Sequence, residues 1–261
     1  MGANPWDATH EAMDRGAALV EGGIEIITPD LLQDWYEGAP NGGMELLGAD
    51  AAKCEFKDQN VKLPRRRGEF AWHWGDDFSQ LKSAAARASE ANPNAVVRIA
   101  HLDTGYDPQH RTFPASMVEL QLQKNFVDRD RPDDARDLGV DGALKQPGHG
   151  TGTLSILAGG RFQFQEEGYQ FEGIVGGAPN ARIVPVRVGN SVVQISTSGV
   201  AKAISYVAEL CTRPVTRVNV ISMSMGGVAS AAWADAVNKA YEAGIVFVAA
   251  AGNNYFRRAQ K

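Results

Sequence analysis

Along most of the chain, apolar positions fall into short runs whose period switches between that of a helix and that of a strand. Phe78, Leu81, Ala84, Ala85 and Ala88 recur at helical spacing behind Asp77, a candidate N-cap, and Asn92-Pro93-Asn94 closes the stretch. Residues 95–102, reading AVVRIAHL, form a β-branched run short enough for a strand. A helix is predicted over 149–158, stopped by Gly159-Gly160, and a strand over 181–188. The next helix, 198–211, places Val200, Ala203, Ile204, Val207 and Cys211 on one face. Residues 218–223 predict a strand. Ser230 can cap a helix with the stripe Trp233, Ala236, Val237, Ala240 and Tyr241, closed by Gly244. Residues 245–250 are uniformly apolar and predict a buried strand. Strands alternating with helices imply an α/β fold, a doubly wound parallel sheet covered on both faces. Its functional crevice belongs at the carboxyl ends of the strands.

The first part of the chain is less regular. Helical patterns over 5–19 and 29–36 are followed by a Gly-rich stretch, 38–48, and by Pro64-Arg65-Arg66-Arg67, which reads as a solvated loop. With 261 residues, 44% of them apolar, the chain can build one large domain or two small ones. Its formal charge of −5 gives no reason to expect nucleic acid or an anionic membrane as partner. No apolar run approaches the roughly 20 residues that span a bilayer. The N-terminus has no apolar stretch like that of a secretory signal, so the expected location is cytoplasmic. Cys54 and Cys211 lack metal-binding spacing; the two could pair, but reduced thiols are the favoured reading. Nothing in the pattern fixes an oligomeric state.

Three short segments carry chemistry. Asp103 directly follows an apolar strand, with Gly105 allowing a sharp turn, so its carboxylate stands at the functional edge of the sheet and needs a cationic or N–H partner. His149, between Gly148 and Gly150, opens a helix whose positive end disfavours imidazolium and helps keep the ring a base. Asn253 follows VFVAAAG and can aim amide N–H groups into the same crevice, where such a donor contributes about 3 kcal/mol to stabilising an oxyanion. Taken singly, each is more often structural: a turn-capping Asp, a His in a Gly-rich turn, a turn-forming Gly-Asn pair. The ordered set of acid, imidazole and amide is more specific.

That order resembles the subtilisin-like serine proteases, the subtilases. Gly176-Gly177-Ala178-Pro179-Asn180-Ala181 is similar to the family's G-x-A-P-x-A turn, and Ser222-Met223-Ser224-Met225-Gly226-Gly227 to its S-x-G substrate-binding strand. The resemblance covers about residues 95–253. It implies a peptide hydrolase in which Asp103 orients the ring, His149 acts as general base and then acid, and Asn253 holds the oxyanion. Ser224, Met225 and Gly226 would pair with a polypeptide substrate as an added strand. Ala250 and Gly252 would line the pocket for the residue before the cut bond.

Gly152 replaces a histidine that many members carry, and Arg111 follows His110 where proline is frequent. No G-T-S-x-A segment, which holds the family's nucleophile, occurs in these 261 residues. The expected division is residues 1–75 as an extension or propeptide-like segment and 76–261 as a subtilase domain without the serine helix. On this reading the isolated polypeptide is hydrolytically inactive; the alternative is a peptide-binding pseudoprotease. No cofactor is expected. Asp128, Asp130, Asp133, Asp134, Asp137 and Asp141 could gather round calcium, which subtilases often bind, but their spacing fails the EF-hand pattern and a solvated acidic loop is favoured.

Overall fold

A computed structural model describes residues 74–75, 79–112, 114–139, 145–166, 169–192, 197–227 and 230–250. The helices predicted over 5–19 and 29–36, the Gly-rich stretch and the Arg run lie outside the described residues. In chain order the main elements are α1 (Leu81–Ala91), β1 (Arg98–Asp103), β2 (Lys124–Asn125), α2 (His149–Ala158), β3 (Arg161–Glu166) and β4 (Tyr169–Ile174). They continue with β5 (Arg182–Arg187), α3 (Thr197–Leu210), β6 (Val220–Met223), α4 (Ala231–Glu242) and β7 (Val246–Ala249).

Five strands form one sheet in the order β2-β5-β1-β6-β7, and every neighbouring pair is parallel. The chain steps from β1 to one side through β2 and β5, then crosses to the other side for β6 and β7. The gap between β1 and β6 is therefore the topological switch point, where an open α/β sheet places its crevice.

Side chains alternate along β1, and the alternation sorts the two cores. Ala100 and Leu102 pack with Val184, Val186, Ile221 and the inner faces of α3 and α4, where Val200, Ala203, Ile204, Val207, Ala236 and Ala240 are buried. On the opposite face Ile99 and Ile183 meet Leu154 and Ala158 of α2. Each buried branched side chain contributes roughly 1.5–3 kcal/mol relative to exposure. His101 and Asp103 share the parity of Ile99, so two polar groups enter the α2 side of the sheet.

The α/β expectation holds, with local differences. β1 starts at Arg98 rather than at residue 95, leaving Val96 and Val97 exposed ahead of the ladder. Asp77 and Phe78 lie outside the described residues; the residue preceding α1 is Gln80 in a left-handed conformation, φ 57°, and no residue of α1 is buried. Ser230 caps α4 as predicted, accepting the Trp233 N–H at 3.2 Å. Tyr241, placed on that helix's apolar stripe, is instead 80% exposed. β7 is not a buried strand: it forms an edge of the sheet, with Val246 59% and Val248 53% exposed. Cys211 is a free thiol just past α3, its Sγ donating to Val218 O at 3.3 Å. The antiparallel hairpin β3–β4 was not anticipated.

Candidate active site

Asp103 ends β1 at the switch point, and its side chain is fully buried. Such a carboxylate needs donors on both oxygens. Oδ1 accepts the Thr104 N–H at 2.7 Å and faces His149 Nδ1 at 2.7 Å. Oδ2 accepts the Thr153 hydroxyl at 2.9 Å. Burial pushes the Asp103 carboxyl up, but the hydrogen bond from His149, the histidine charges and the Thr104 N–H outweigh it, and the group is held below its ordinary range.

His149 is the first residue of α2, preceded by Gly148 at φ 81°. Because an ionised carboxylate only accepts, Nδ1 carries the proton facing Asp103, which leaves Nε2 as the basic nitrogen. The imidazole is 29% exposed, so part of the ring is open to solvent.

The helix is brought there by close backbone approach. A Cβ on Gly150 would lie 2.0 Å from Gly105 O and 3.1 Å from Asp103 Oδ1, so only glycine lets the first turn of α2 seat against the turn after β1. Gly105 itself sits at φ 107°, where a Cβ would also strike Ala135 O. The Gly150 N–H donates to Thr104 Oγ1 at 3.1 Å and the Asp107 N–H to Thr151 Oγ1 at 2.9 Å. Asp137 accepts the Gly148 N–H at 2.7 Å. The far end of α2 is held by the Gly-Gly-Ala-Pro turn, whose Gly177 and Ala178 N–H groups donate to Ile156 O and Leu157 O at 2.9 and 2.8 Å.

A family model described as the subtilase family matches residues 94–261. The chain belongs to the subtilase family. Among curated relatives, this subtilase chain is similar to Subtilisin-like protease 4 of Arthroderma gypseum, 35% identical over 214 residues. It is also similar to Subtilisin-like protease 4 of Trichophyton equinum, 31% identical over 214 residues. Both matches cover 80% of this chain and 47% of the relative, so the chain spans about half the length of the curated relatives it matches. Among solved structures it resembles a protease of Pseudoalteromonas arctica, at 26% identity and a TM-score of 0.50, over 70% of this chain and 57% of that one.

The remaining expected site residues of the subtilase are placed as follows. Asn253 and Gly252 lie outside the described residues. Ser224, Met225 and Gly226 leave the carboxyl end of β6; the Met225 side chain is buried in the core, and the Gly226 N–H donates to Val192 O at 3.0 Å. Ala250 is exposed at the end of β7, its N–H donating to Met223 O at 3.2 Å. Ser155 is turned away into α2's own packing, with Oγ 2.5 Å from Thr112 Oγ1 and donating to Thr151 O at 2.8 Å.

In the acidic loop, Asp134 is held by Arg131 at 2.7 Å and by Arg136 at 2.5 Å, and Asp133 by Lys124 at 2.5 Å. Asp133 and Asp134 thus face lysine and arginine, and among the described residues no group of three or more His, Cys, Asp or Glu could hold a metal ion. Asp141 lies outside the described residues.

Sequence reasoning missed His101, Thr153, Thr104 and the buried Arg187, whose Nη1 lies 3.9 Å from the Asp137 carboxylate that holds the Gly148 N–H. For His101 and Thr153 a signal existed: a polar residue two before Asp103 in an otherwise apolar strand, and a hydroxyl one helical turn after His149.

Proposed function

We propose that this chain supplies the acid and the base of a serine endopeptidase that cleaves polypeptides by acyl transfer. The observation carrying this reading is the 2.7 Å contact between His149 Nδ1 and a fully buried Asp103, at the sheet's switch point in a subtilase chain. Nε2 of His149 would take the proton of a serine hydroxyl as that oxygen bonds to the scissile carbonyl carbon and the carbonyl electrons move onto its oxygen. The imidazolium then protonates the departing amine as the C–N bond breaks, and water repeats the sequence on the acyl-enzyme. Asp103 fixes the tautomer and stabilises the charge that His149 acquires. Asn253 is the proposed oxyanion donor. Ser224, Met225, Gly226, Ala250 and Gly252 would line the substrate cleft.

The nucleophile would come from a G-T-S-x-A serine outside these 261 residues. The alternative reading is a peptide-binding pseudoprotease, which keeps the cleft without the nucleophile. A fluorophosphonate probe applied to the natural gene product separates the two. Labelling of a serine, slowed on the order of 10⁴-fold by His149→Ala, supports the protease. Unlabelled, folded protein that still binds peptides establishes the pseudoprotease.

A further inference from the structure

Asp103 is supported from behind by a second histidine. His101 lies two residues earlier on β1, on the same face, and is buried. Its Nε2 stands 3.0 Å from Thr153 Oγ1 and 3.7 Å from Asp103 Oδ2. Thr153 lies on α2 one turn after His149, so the strand and the helix that carry the acid and the base also carry this pair. The hydroxyl has a single proton and, besides His101 Nε2 at 3.0 Å, three oxygen acceptors in reach: Asp103 Oδ2 at 2.9 Å and the carbonyls of His149 and Gly150, both at 3.2 Å. The carboxylate is nearest and charged, and it takes the proton. Thr153 Oγ1 then has only lone pairs to offer His101, whose Nε2 must be the donor.

We propose that His101 and Thr153 are positioning residues, a donor chain from His101 Nε2–H through the Thr153 hydroxyl to Asp103 Oδ2 that fixes the carboxylate so that Oδ1 addresses His149. This deepens the proposed function and rests on the Asp103–His149 reading. The chain works only while His101 is neutral, since an imidazolium at 3.7 Å would offset the charge that Asp103 offers to His149. Burial, the dominant influence, favours the neutral ring; Asp103 opposes it and His149 reinforces it.

The test is NMR of the histidine ring nitrogens and protons in the 261-residue chain, the five histidines being assigned by substitution. In the wild type, His101 is expected as the neutral Nε2–H tautomer, and the His149 Nδ1 proton as a protected resonance. Thr153→Val, close to isosteric, should speed solvent exchange of the His149 Nδ1 proton by about tenfold, and Thr153→Ser should restore it. An Nδ1–H tautomer at His101, seen in the wild type without any variant, overturns the donor chain. So does a Thr153→Val protein that keeps wild-type protection. A wild type lacking the protected His149 proton instead overturns the acid–base pair itself, and this proposal with it.

Discussion

Gly150 sets how closely His149 can be brought to Asp103, because any side chain there meets backbone rather than a movable group. Gly150→Ala puts a methyl 2.0 Å from Gly105 O, so α2 must back away from β1. A loss of about 1–3 kcal/mol is expected from such overpacking, read as a lower urea midpoint, together with loss of the His149 Nδ1 proton signal. The buried ionisable groups also set the acid limb of stability. The folded pKa of His101 is below its ordinary 6.5, so below that pH the unfolded chain takes up a proton that the folded one refuses. Stability therefore falls as pH drops from 6.5 toward the folded value. Asp103 is likewise depressed below 3.8; its stabilising share is present above that value and is lost as pH falls through the lower folded one. Urea midpoints measured against pH should show His101→Gln flattening the upper part of this limb and Asp103→Asn the lower part. At this scale the sequence was legible for Asp103 and His149, because a carboxylate ending an apolar strand and a histidine between glycines are local signals. Arg187 was not, since what buries it comes from a loop some fifty residues away.

Elements were read well where period and punctuation agreed. The helix over 149–158 has the predicted bounds because Gly148 and Gly159 bracket it. Ser230 was recognised as a cap from residue type alone, and Ser230→Ala should cost about 1 kcal/mol, measurable by chemical denaturation. The hairpin escaped notice although Phe162 and Phe164 alternate with polar residues in β3, a period-2 signal masked by flanking glycines and charges. β7 shows the opposite error. An apolar run states a preference for burial, but what covers it is decided by neighbours in space, and here Val246 and Val248 are exposed. α1 has helical periodicity with alanines too small to anchor it, and none of its residues is fully buried.

Across the whole molecule, Arg187 joins parts that the sheet alone does not. It is almost fully buried at the end of β5, with Nη1 donating to Arg136 O at 2.7 Å and Nη2 to Asn190 Oδ1 at 2.5 Å. Asp128 lies 3.6 Å from Nε and Asp137 3.9 Å from Nη1. Through Asp137, which accepts the Gly148 N–H, this cation is tied to the entry of the histidine helix. Arg187→Ala removes the buried cation shared by Asp128 and Asp137 and leaves a cavity, and should lower the unfolding free energy by about 3 kcal/mol, with Arg187→Met less harmful because it refills the space. Calorimetry or urea titration of both variants distinguishes lost charge from lost volume.

The placement of β1 between β5 and β6 bears on biogenesis. Both partners of that strand are made much later than the strand itself: Arg98 aligns with Arg182, and Ile99 with Val220. A nascent chain leaving the ribosome therefore exposes both flanks of β1 until β5 is made and one flank until β6 follows, and such non-local pairing is slow. The carboxylate and the imidazole consequently meet only when synthesis of the sheet is well advanced, so a stalled, incomplete chain carries the residues of the site without its chemistry.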